Sequence, residues 1–414
     1  MRVRLRRDLR MARMSLGAHA VIAWMLLARS AVADPRPVTL GEALAAVGQA
    51  PAAAVMAHEV AAADALVSAA AGWPNPSLHV STNRLTARLV AGATIPLPVF
   101  GTVGAARRQA EAEAGVVRAE GVAALRLLRH RVALAWISLA RLDGAVIASS
   151  IAAQQAAELA VIARGRKQAN VGADVDVTTA VAAQARAEVA AAAAVRAQAA
   201  GSAELAGVLG WPVAQPLITS GSPDIGGAAE LVALRTRLGR HPERLAQAAR
   251  LGAADAATDQ LGSLAWPSLA LEGAVSIDDP TNEGKTDVAI GVALELPMFA
   301  RVGDRVRAAQ ATAAAQRARL AVTDTELGAT LAATFERWRA AVETLSTLER
   351  DVVPAQERAA ALSAQAYREG ARDLASALQA ERDLAAVRAE VNAGRADAAA
   401  AWEDLQLAAG TDAN

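Results

Sequence analysis

Few residues in this chain are placed to carry out covalent chemistry. Cysteine is absent, and the histidines are scattered at His19, His58, His79, His130 and His241. None of them has a second histidine at helical spacing, and the sequence has neither a His-Glu-x-x-His motif nor a phosphate-binding loop. We therefore expect no catalytic residues, no metal site and no cofactor. A hydrolase is the least favoured class, because no nucleophile is paired with a base.

Ionisable side chains gather instead around two glycines, each of which precedes a new helical pattern. Beside Gly172 the sequence places Asp174 and Asp176. Beside Gly370 it places Tyr367, Arg368, Arg372 and Asp373. Such groups can form exposed ion pairs, each of which contributes only about 0–1 kcal/mol. These two turns are the candidate site for contacts that form and break.

Four segments alternate between apolar and polar residues with period two, which predicts β-strands. They lie at about 77–84, 88–96, 268–277 and 285–296. In the last of them Val288, Ile290 and Val292 share one face with Leu294 and Leu296. Strands of roughly nine to eleven residues can cross a bilayer when tilted. The segments therefore predict two membrane-crossing β-hairpins.

Aromatic residues flank these hairpins, although only 3% of the chain is aromatic. Trp73 and Trp266 precede the first strand of each pair, and Phe100 and Phe299 follow the second. All four would lie at the same end of the sheet, where aromatic girdles meet the membrane–water boundary. The alternative is a soluble β-hairpin with aromatic anchors at its base.

The first 33 residues have the composition of a secretory signal. An arginine-rich start is followed by a short apolar run and by Ala31-Val32-Ala33, a small-residue cleavage pattern. The rest of the chain has no long charge-free apolar stretch, so we expect no transmembrane helix. The full chain is formally neutral, which argues against a nucleic-acid partner.

The remaining sequence repeats itself. Leu97-Pro98-Val99-Phe100 returns 199 residues later as Leu296-Pro297-Met298-Phe299, and Trp136 has its counterpart in Phe335 at the same spacing. We expect two copies of one unit, residues 34–215 and 216–414, with helix turns near 172 and 370. In each copy long helical patterns follow the strands, which predicts an extended α-helical hairpin.

This order of elements resembles the TolC family of outer-membrane efflux proteins, also called outer membrane factors. The motifs that carry the resemblance are Gly72-Trp73-Pro74-Asn75-Pro76, Leu97-Pro98-Val99-Phe100-Gly101, Asn170-Val171-Gly172 and Tyr367-Arg368-Glu369-Gly370. The Trp-Pro-Asn-Pro and Leu-Pro-x-Phe-Gly motifs also resemble the heavy-metal (cobalt–zinc–cadmium) resistance branch of RND-type efflux systems.

The resemblance implies a mainly α fold with a small membrane β part, in which each repeat is a β-hairpin on long α-helical hairpins. It implies a homotrimer whose strands form a 12-stranded β-barrel, continued by an α-helical barrel in the periplasm of a Gram-negative bacterium. The trimer would contact outer-membrane lipid, a periplasmic adaptor (membrane fusion protein) and an inner-membrane RND-type pump. Its function would be passive export of heavy-metal cations.

In this family the helix turns close the periplasmic end, and Tyr367 and Arg372 match gate positions relative to the turn glycine. Ser376 and Gln379 stand where some members have aspartates. We therefore expect Arg372 to pair with Asp174 or Asp176 of the adjacent hairpin. Three alternatives stay open: a periplasmic coiled-coil adaptor, a structural tether, and a TolC-like duct for drugs or protein secretion.

Overall fold

The computed structural model describes residues 34–83, 87–279, 285–298 and 301–411, and most of them are helical. The helices are α1 (Leu40–Ala46), α2 (Pro51–Ala70), α3 (Thr102–Gln168), α4 (Asp174–Leu209), α5 (Leu231–Arg235), α6 (Pro242–Ser263), α7 (Val302–Thr347), α8 (Val353–Arg368) and α9 (Leu374–Ala409). The mainly α class is confirmed. The predicted signal peptide, residues 1–33, lies outside the described residues.

The strands form two sheets. They are β1 (Arg36–Val38), β2 (Ser77–Asn83), β3 (Ala87–Leu97), β4 (Leu217–Thr219), β5 (Ser268–Asp279) and β6 (Lys285–Glu295). Strands β1 and β4 pair in parallel, a sheet that the sequence pattern did not indicate. The other four form an antiparallel sheet in the order β2-β3-β5-β6, so β2 and β6 are its edges. These four strands occupy the segments with period-two alternation.

The register of the larger sheet puts apolar side chains on one face. Leu89 lies opposite Ile277, and Leu271 lies opposite Val292. These side chains are exposed, and Leu78 and Ile290 expose 82% and 80% of their surface. An exposed apolar face of this extent requires a covering partner or lipid.

The chain divides into two compact units. The first contains the residues up to Ala46 together with Val132–Asp224 and Glu343–Asp397. The second contains Val47–Arg131, Ile225–Val342 and the residues from Ala398 onward. The small parallel sheet and both helix turns therefore belong to the first unit, and the larger sheet belongs to the second.

Each unit anchors a long helix through a tryptophan. In the first unit Trp136 is buried, and its indole N–H donates to the carbonyl oxygen of Val38 at 2.8 Å. In the second unit Trp338 donates to the carbonyl oxygen of Ile225, also at 2.8 Å. Trp338, rather than Phe335, thus has the role of Trp136, because the indole N–H and not the aromatic ring makes the contact.

The starts of the helices follow their sequence signals. Thr39 and Glu42 form a capping box: the Thr39 N–H donates to Glu42 Oε2 at 2.8 Å, and the Glu42 N–H donates to Thr39 Oγ1 at 3.2 Å. Pro51 stands in the first turn of α2, where its missing N–H costs no hydrogen bond. Pro242 has the same position in α6, with His241 as the N-cap.

The second long helical stretch, which begins at Val302, changes its hydrogen bonding shortly after it enters the first unit at Glu343. After α7 the chain passes through a π-helical segment, Leu348–Val352, and continues as α8. Pro354 stands in the first turn of α8. Since proline cannot donate to the carbonyl four residues earlier, this is the place where the regular pattern is interrupted.

Two helical stretches, Leu40–Ala70 and Thr102–Gln168, are long and apolar enough to cross a membrane by length and composition alone. Neither is a charge-free apolar stretch of membrane-crossing length, which is the feature that the sequence was expected to lack. The first stretch contains Glu42, Glu59 and Asp64, and the second contains several arginines dispersed along the helix.

Candidate functional site at the hairpin turns and the sheet

The two helix turns share one backbone geometry. Asn170 in the first turn and Gly370 in the second have positive φ angles of 58° and 79°. The amide that follows each of them donates to a carbonyl oxygen in the last helical turn, at 2.9 Å and 2.8 Å respectively. This is the Schellman arrangement, which satisfies carbonyl groups at a helix C-terminus.

Asn170 is therefore the counterpart of Gly370, and Gly172 stands where the second turn has Arg372. Asparagine takes the left-handed conformation more readily than most residues, so the first turn does not need glycine for its φ angle. Gly172 is needed for another reason. A Cβ atom at this position would lie 2.9 Å from the Lys167 nitrogen and 3.0 Å from the Arg166 carbonyl carbon.

Tyr367 lies in the core of the first unit, with 1% of its surface exposed. It packs in one cluster with Leu159, Ala160, Ala163, Ala180, Leu374, Ala377 and Leu378. Burial and the nearby Asp176 carboxylate raise the pKa of the Tyr367 hydroxyl. Its oxygen is buried without a hydrogen-bond partner in the described part of the chain. Within one chain this side chain therefore fills space between the hairpins.

Arg166, a charged residue near the first turn in the sequence, contacts both turns, although no partner was predicted for it. Its Nη1 donates to the carbonyl oxygens of Tyr367 at 2.7 Å and Arg368 at 3.4 Å, and its Nη2 donates to Val171 O at 3.2 Å. The guanidinium carbon lies 5.1 Å from the centre of the Tyr367 ring. A basic residue in the last turn of a helix was the only sequence signal for this role.

The predicted acidic residues have separate local roles. Asp174, in the first turn of α4, forms an ion pair with Lys167 across the first helix turn. Asp373 accepts a hydrogen bond from the Ser376 N–H at 3.1 Å and so caps α9. The hydrogen bonds from Ser376 lower the pKa of Asp373. Both carboxylates stabilise the start of a helix in the single chain.

Arg372 and Arg368 are exposed at the second turn. Among the residues that the structure describes, Arg372 makes no ion pair, whereas Arg368 contributes its backbone carbonyl to Arg166. The expected pairs of Arg372 with Asp174 or Asp176 are thus not formed within one chain. They stay a prediction about contacts between neighbouring subunits.

Aromatic side chains stack where the larger sheet meets its helices. Phe100 and Trp266 lie with ring centres 5.8 Å apart and an angle of 11° between their planes. Trp266 and Trp73 are both well exposed. Phe299, the fourth predicted interface aromatic, lies outside the described residues. Three of the four predicted positions therefore carry exposed rings at the base of the hairpins.

The other face of the sheet is small and polar. It includes Ser77, His79, Thr94, Gly92, Glu272, Gly291, Asp287 and Glu295, which the register places on the side opposite the apolar residues. His79 lies over Gly92, where an added Cβ atom would be 2.3 Å from its Nε2. No group of three or more possible metal ligands was found in the described ranges. This face can contact water.

Part of the sequence matches a known protein family. Residues 233–411 match the family described as outer membrane efflux protein, and this stretch lies within the second predicted repeat. The matching family consists of efflux channels, not of enzymes. No curated protein sequence matches the chain.

Several solved outer membrane proteins have the same fold. VceC from Vibrio cholerae superposes with a TM-score of 0.72 at 20% identity, covering 90% of this chain and 96% of VceC. MtrE from Neisseria gonorrhoeae, solved in its open state, gives 0.71 at 17% identity over 92% of this chain and 90% of MtrE. CusC gives 0.77 at 16% identity, covering 90% and 92%. The chain has the fold of outer membrane channels, and the protein resides in the outer membrane.

Proposed function

We propose that this outer membrane protein is the channel subunit of a tripartite efflux system. Three copies would form one duct, in which the β-hairpins cross the outer membrane and the helical hairpins extend into the periplasm. The duct itself does no chemical work, and an inner-membrane pump supplies the energy. The single observation that carries the proposal is the four-stranded sheet with an exposed apolar face and two edge strands.

The edge strands are the reason for assembly. In lipid no water pairs with the backbone N–H and C=O groups of β2 and β6, so an open sheet is not tolerated there. Four strands are too few to close a barrel. Two chains would supply eight strands, whose interior is filled by side chains, whereas three chains supply twelve and leave room for a water-filled lumen.

The two helix turns are the proposed periplasmic gate. In the single chain Asp174 already forms an ion pair with Lys167. Arg372 of one subunit would therefore compete with Lys167 for Asp174 of a neighbouring subunit, or would pair with Asp176 of that neighbour. Exposed pairs contribute about 0–1 kcal/mol each, so a small set could be opened by an adaptor protein. Planar-bilayer recordings of Arg372→Ser test this proposal. A raised closed-state conductance is expected, and an unchanged one would remove Arg372 from the gate.

Heavy-metal cations are the proposed cargo. The support is the pair of sequence motifs around the first hairpin that resemble the cobalt–zinc–cadmium branch. The chain after residue 33 has 35 basic and 41 acidic residues, a balance that suits cation passage. The host strain without this gene should lose tolerance to cobalt, zinc or cadmium salts. Sensitivity to drugs alone would assign the duct to another cargo.

Fractionation and conductance distinguish the channel from an adaptor or a tether. We expect the protein in outer-membrane fractions as an oligomer that migrates differently before and after heating, and we expect discrete conductance steps from the purified oligomer in planar bilayers. A stable water-soluble monomer without channel activity in liposomes would exclude the proposed function.

A further inference from the structure

Arg166 is the one side chain in the described tips that donates to the backbone of both hairpins. It lies in the last turn of α3, and its guanidinium reaches the last carbonyl groups of α8. Carbonyl groups at a helix C-terminus lack intrahelical partners and carry partial negative charge. A cation placed where two such helix ends meet is stabilised by both.

The geometry requires a guanidinium. Three carbonyl oxygens, those of Tyr367, Arg368 and Val171, accept from its two terminal nitrogens. The same group lies over the Tyr367 ring, so it combines hydrogen bonds with a cation–π contact. A lysine ammonium is a compact charge and cannot span these acceptors in one plane.

The second turn is shaped to admit this side chain. At Gly370 an added Cβ atom would lie 3.2 Å from Arg166 Nη1 and 3.4 Å from Nη2. Glycine at this position thus leaves room for the guanidinium as well as allowing the positive φ angle. The residue that corresponds to Arg166 in the second hairpin is Ala366, so the first hairpin alone carries the arginine at this position.

We propose that Arg166 is a positioning residue that ties the two hairpin tips of one subunit together, so that they move as a single body. This inference rests on the proposed function for its consequence, because the tips would be the movable end of the duct. It differs from the Arg372 gate, which concerns contacts between subunits. An adaptor that opens the duct would then displace whole pairs of tips.

Hydrogen exchange measured by mass spectrometry on the detergent-purified protein tests the tie. The informative amides are those of Ala371, which donates to Ala366 O at 2.8 Å, and Val171, which donates to Arg166 O at 2.9 Å. In Arg166→Gln we expect exchange to rise about tenfold in both tips, although the substitution lies in one of them, because the tips open locally. Arg166→Lys should behave like Arg166→Gln.

Arg164→Gln is the matched control, because Arg164 is an exposed arginine on the same helix. Its exchange should equal that of the unsubstituted protein. Unchanged exchange at Ala371 in Arg166→Gln would overturn the tie, and full protection in Arg166→Lys would overturn the requirement for a guanidinium. Bilayer recordings of the unsubstituted protein separate the two proposals: absence of conductance would count against the duct, and the exchange result would still decide the tie.

Discussion

The Nε2 atom of His241 lies 3.1 Å from the carbonyl oxygen of Leu407 in the last turn of α9. Its Nδ1 accepts a hydrogen bond from the Glu243 N–H at 3.2 Å at the start of α6. One neutral imidazole, protonated on Nε2, therefore satisfies a carbonyl at the end of one helix and an amide at the beginning of another. A protonated ring could not accept from Glu243.

This arrangement predicts a loss of stability in mild acid. Burial is the main cause that lowers the pKa of His241, and Arg126 adds to it, while the Leu407 carbonyl and Glu243 oppose it. In the unfolded chain the histidine binds a proton with a pKa of about 6.5, whereas in the folded chain it does so only at lower pH. The stability that neutral His241 contributes to the fold is therefore complete above about pH 6.5 and declines as the pH falls toward the folded-state pKa.

Thermal unfolding of the detergent-purified protein at about pH 7.5 and pH 5.5 checks this, since these values bracket the ordinary histidine pKa. His241→Asn should show a smaller fall in midpoint than the unsubstituted protein, because asparagine caps α6 without titrating. His58→Asn, at an exposed position on α2, is the control and should leave the fall unchanged. An identical pH response in His241→Asn would contradict the assignment.

Tyr367→Phe should leave the closed state intact. The ring fills the core of the first unit, whereas the hydroxyl oxygen has no hydrogen-bond partner in the described part of the chain. Removing it should change the free energy of unfolding by less than about 1 kcal/mol, whereas Tyr367→Ala should cost about 3–5 kcal/mol. Limited proteolysis of the tips compares the stability of the two variants, and bilayer conductance shows whether each channel stays closed. A conductive Tyr367→Phe channel would show instead that the hydroxyl holds the gate.

Gly172→Ala should destabilise the first helix turn by roughly 1–3 kcal/mol, because the new methyl group would meet the backbone at the end of α3. Gly165→Ala is the matched control: it lies seven residues earlier, inside α3, and no atom lies within 4 Å of its added Cβ. Alanine there should stabilise the helix by about 0.5–1 kcal/mol. Chemical denaturation compares the two variants, and equal effects would refute the steric role of Gly172.

Ile290→Arg should prevent assembly in the membrane. Ile290 is on the exposed apolar face of β6, and arginine on a lipid-facing strand costs about 2–4 kcal/mol at the bilayer midplane. Ala289→Arg places the same charge on the opposite face and should still assemble. The readout is the heat-sensitive oligomer in outer-membrane fractions. Normal assembly of Ile290→Arg, or failure of Ala289→Arg alone, would reverse the assignment of the two faces.

The strands could be located from the sequence because their pattern is local. Alternation along Lys285–Glu295 places every second side chain on one face, and this depends only on the geometry of a strand. The helix turns were located for a similar reason, since glycine and charged residues mark helix ends. The order β2-β3-β5-β6 needed the structure, because pairing of β3 with β5 joins residues far apart in the chain.

The candidate site was harder to predict because much of it is backbone. Arg166 donates to carbonyl oxygens of distant residues, and every residue has a carbonyl oxygen, so no sequence pattern indicates which one is used. Asn170 in the left-handed conformation was missed because glycine is the stronger signal for a helix end. Tyr367 was assigned to the gate by its position relative to Gly370, whereas its burial follows from packing between hairpins.

The π-helical segment Leu348–Val352 gives the two hairpins different surfaces. A π-turn holds more residues than an α-turn, so the side chains that follow it are rotated about the helix axis relative to those of an unbroken helix. The first long helix is α-helical throughout Thr102–Gln168. The side chains beyond Val352 therefore point in directions that an unbroken α-helix of the same sequence would not give them.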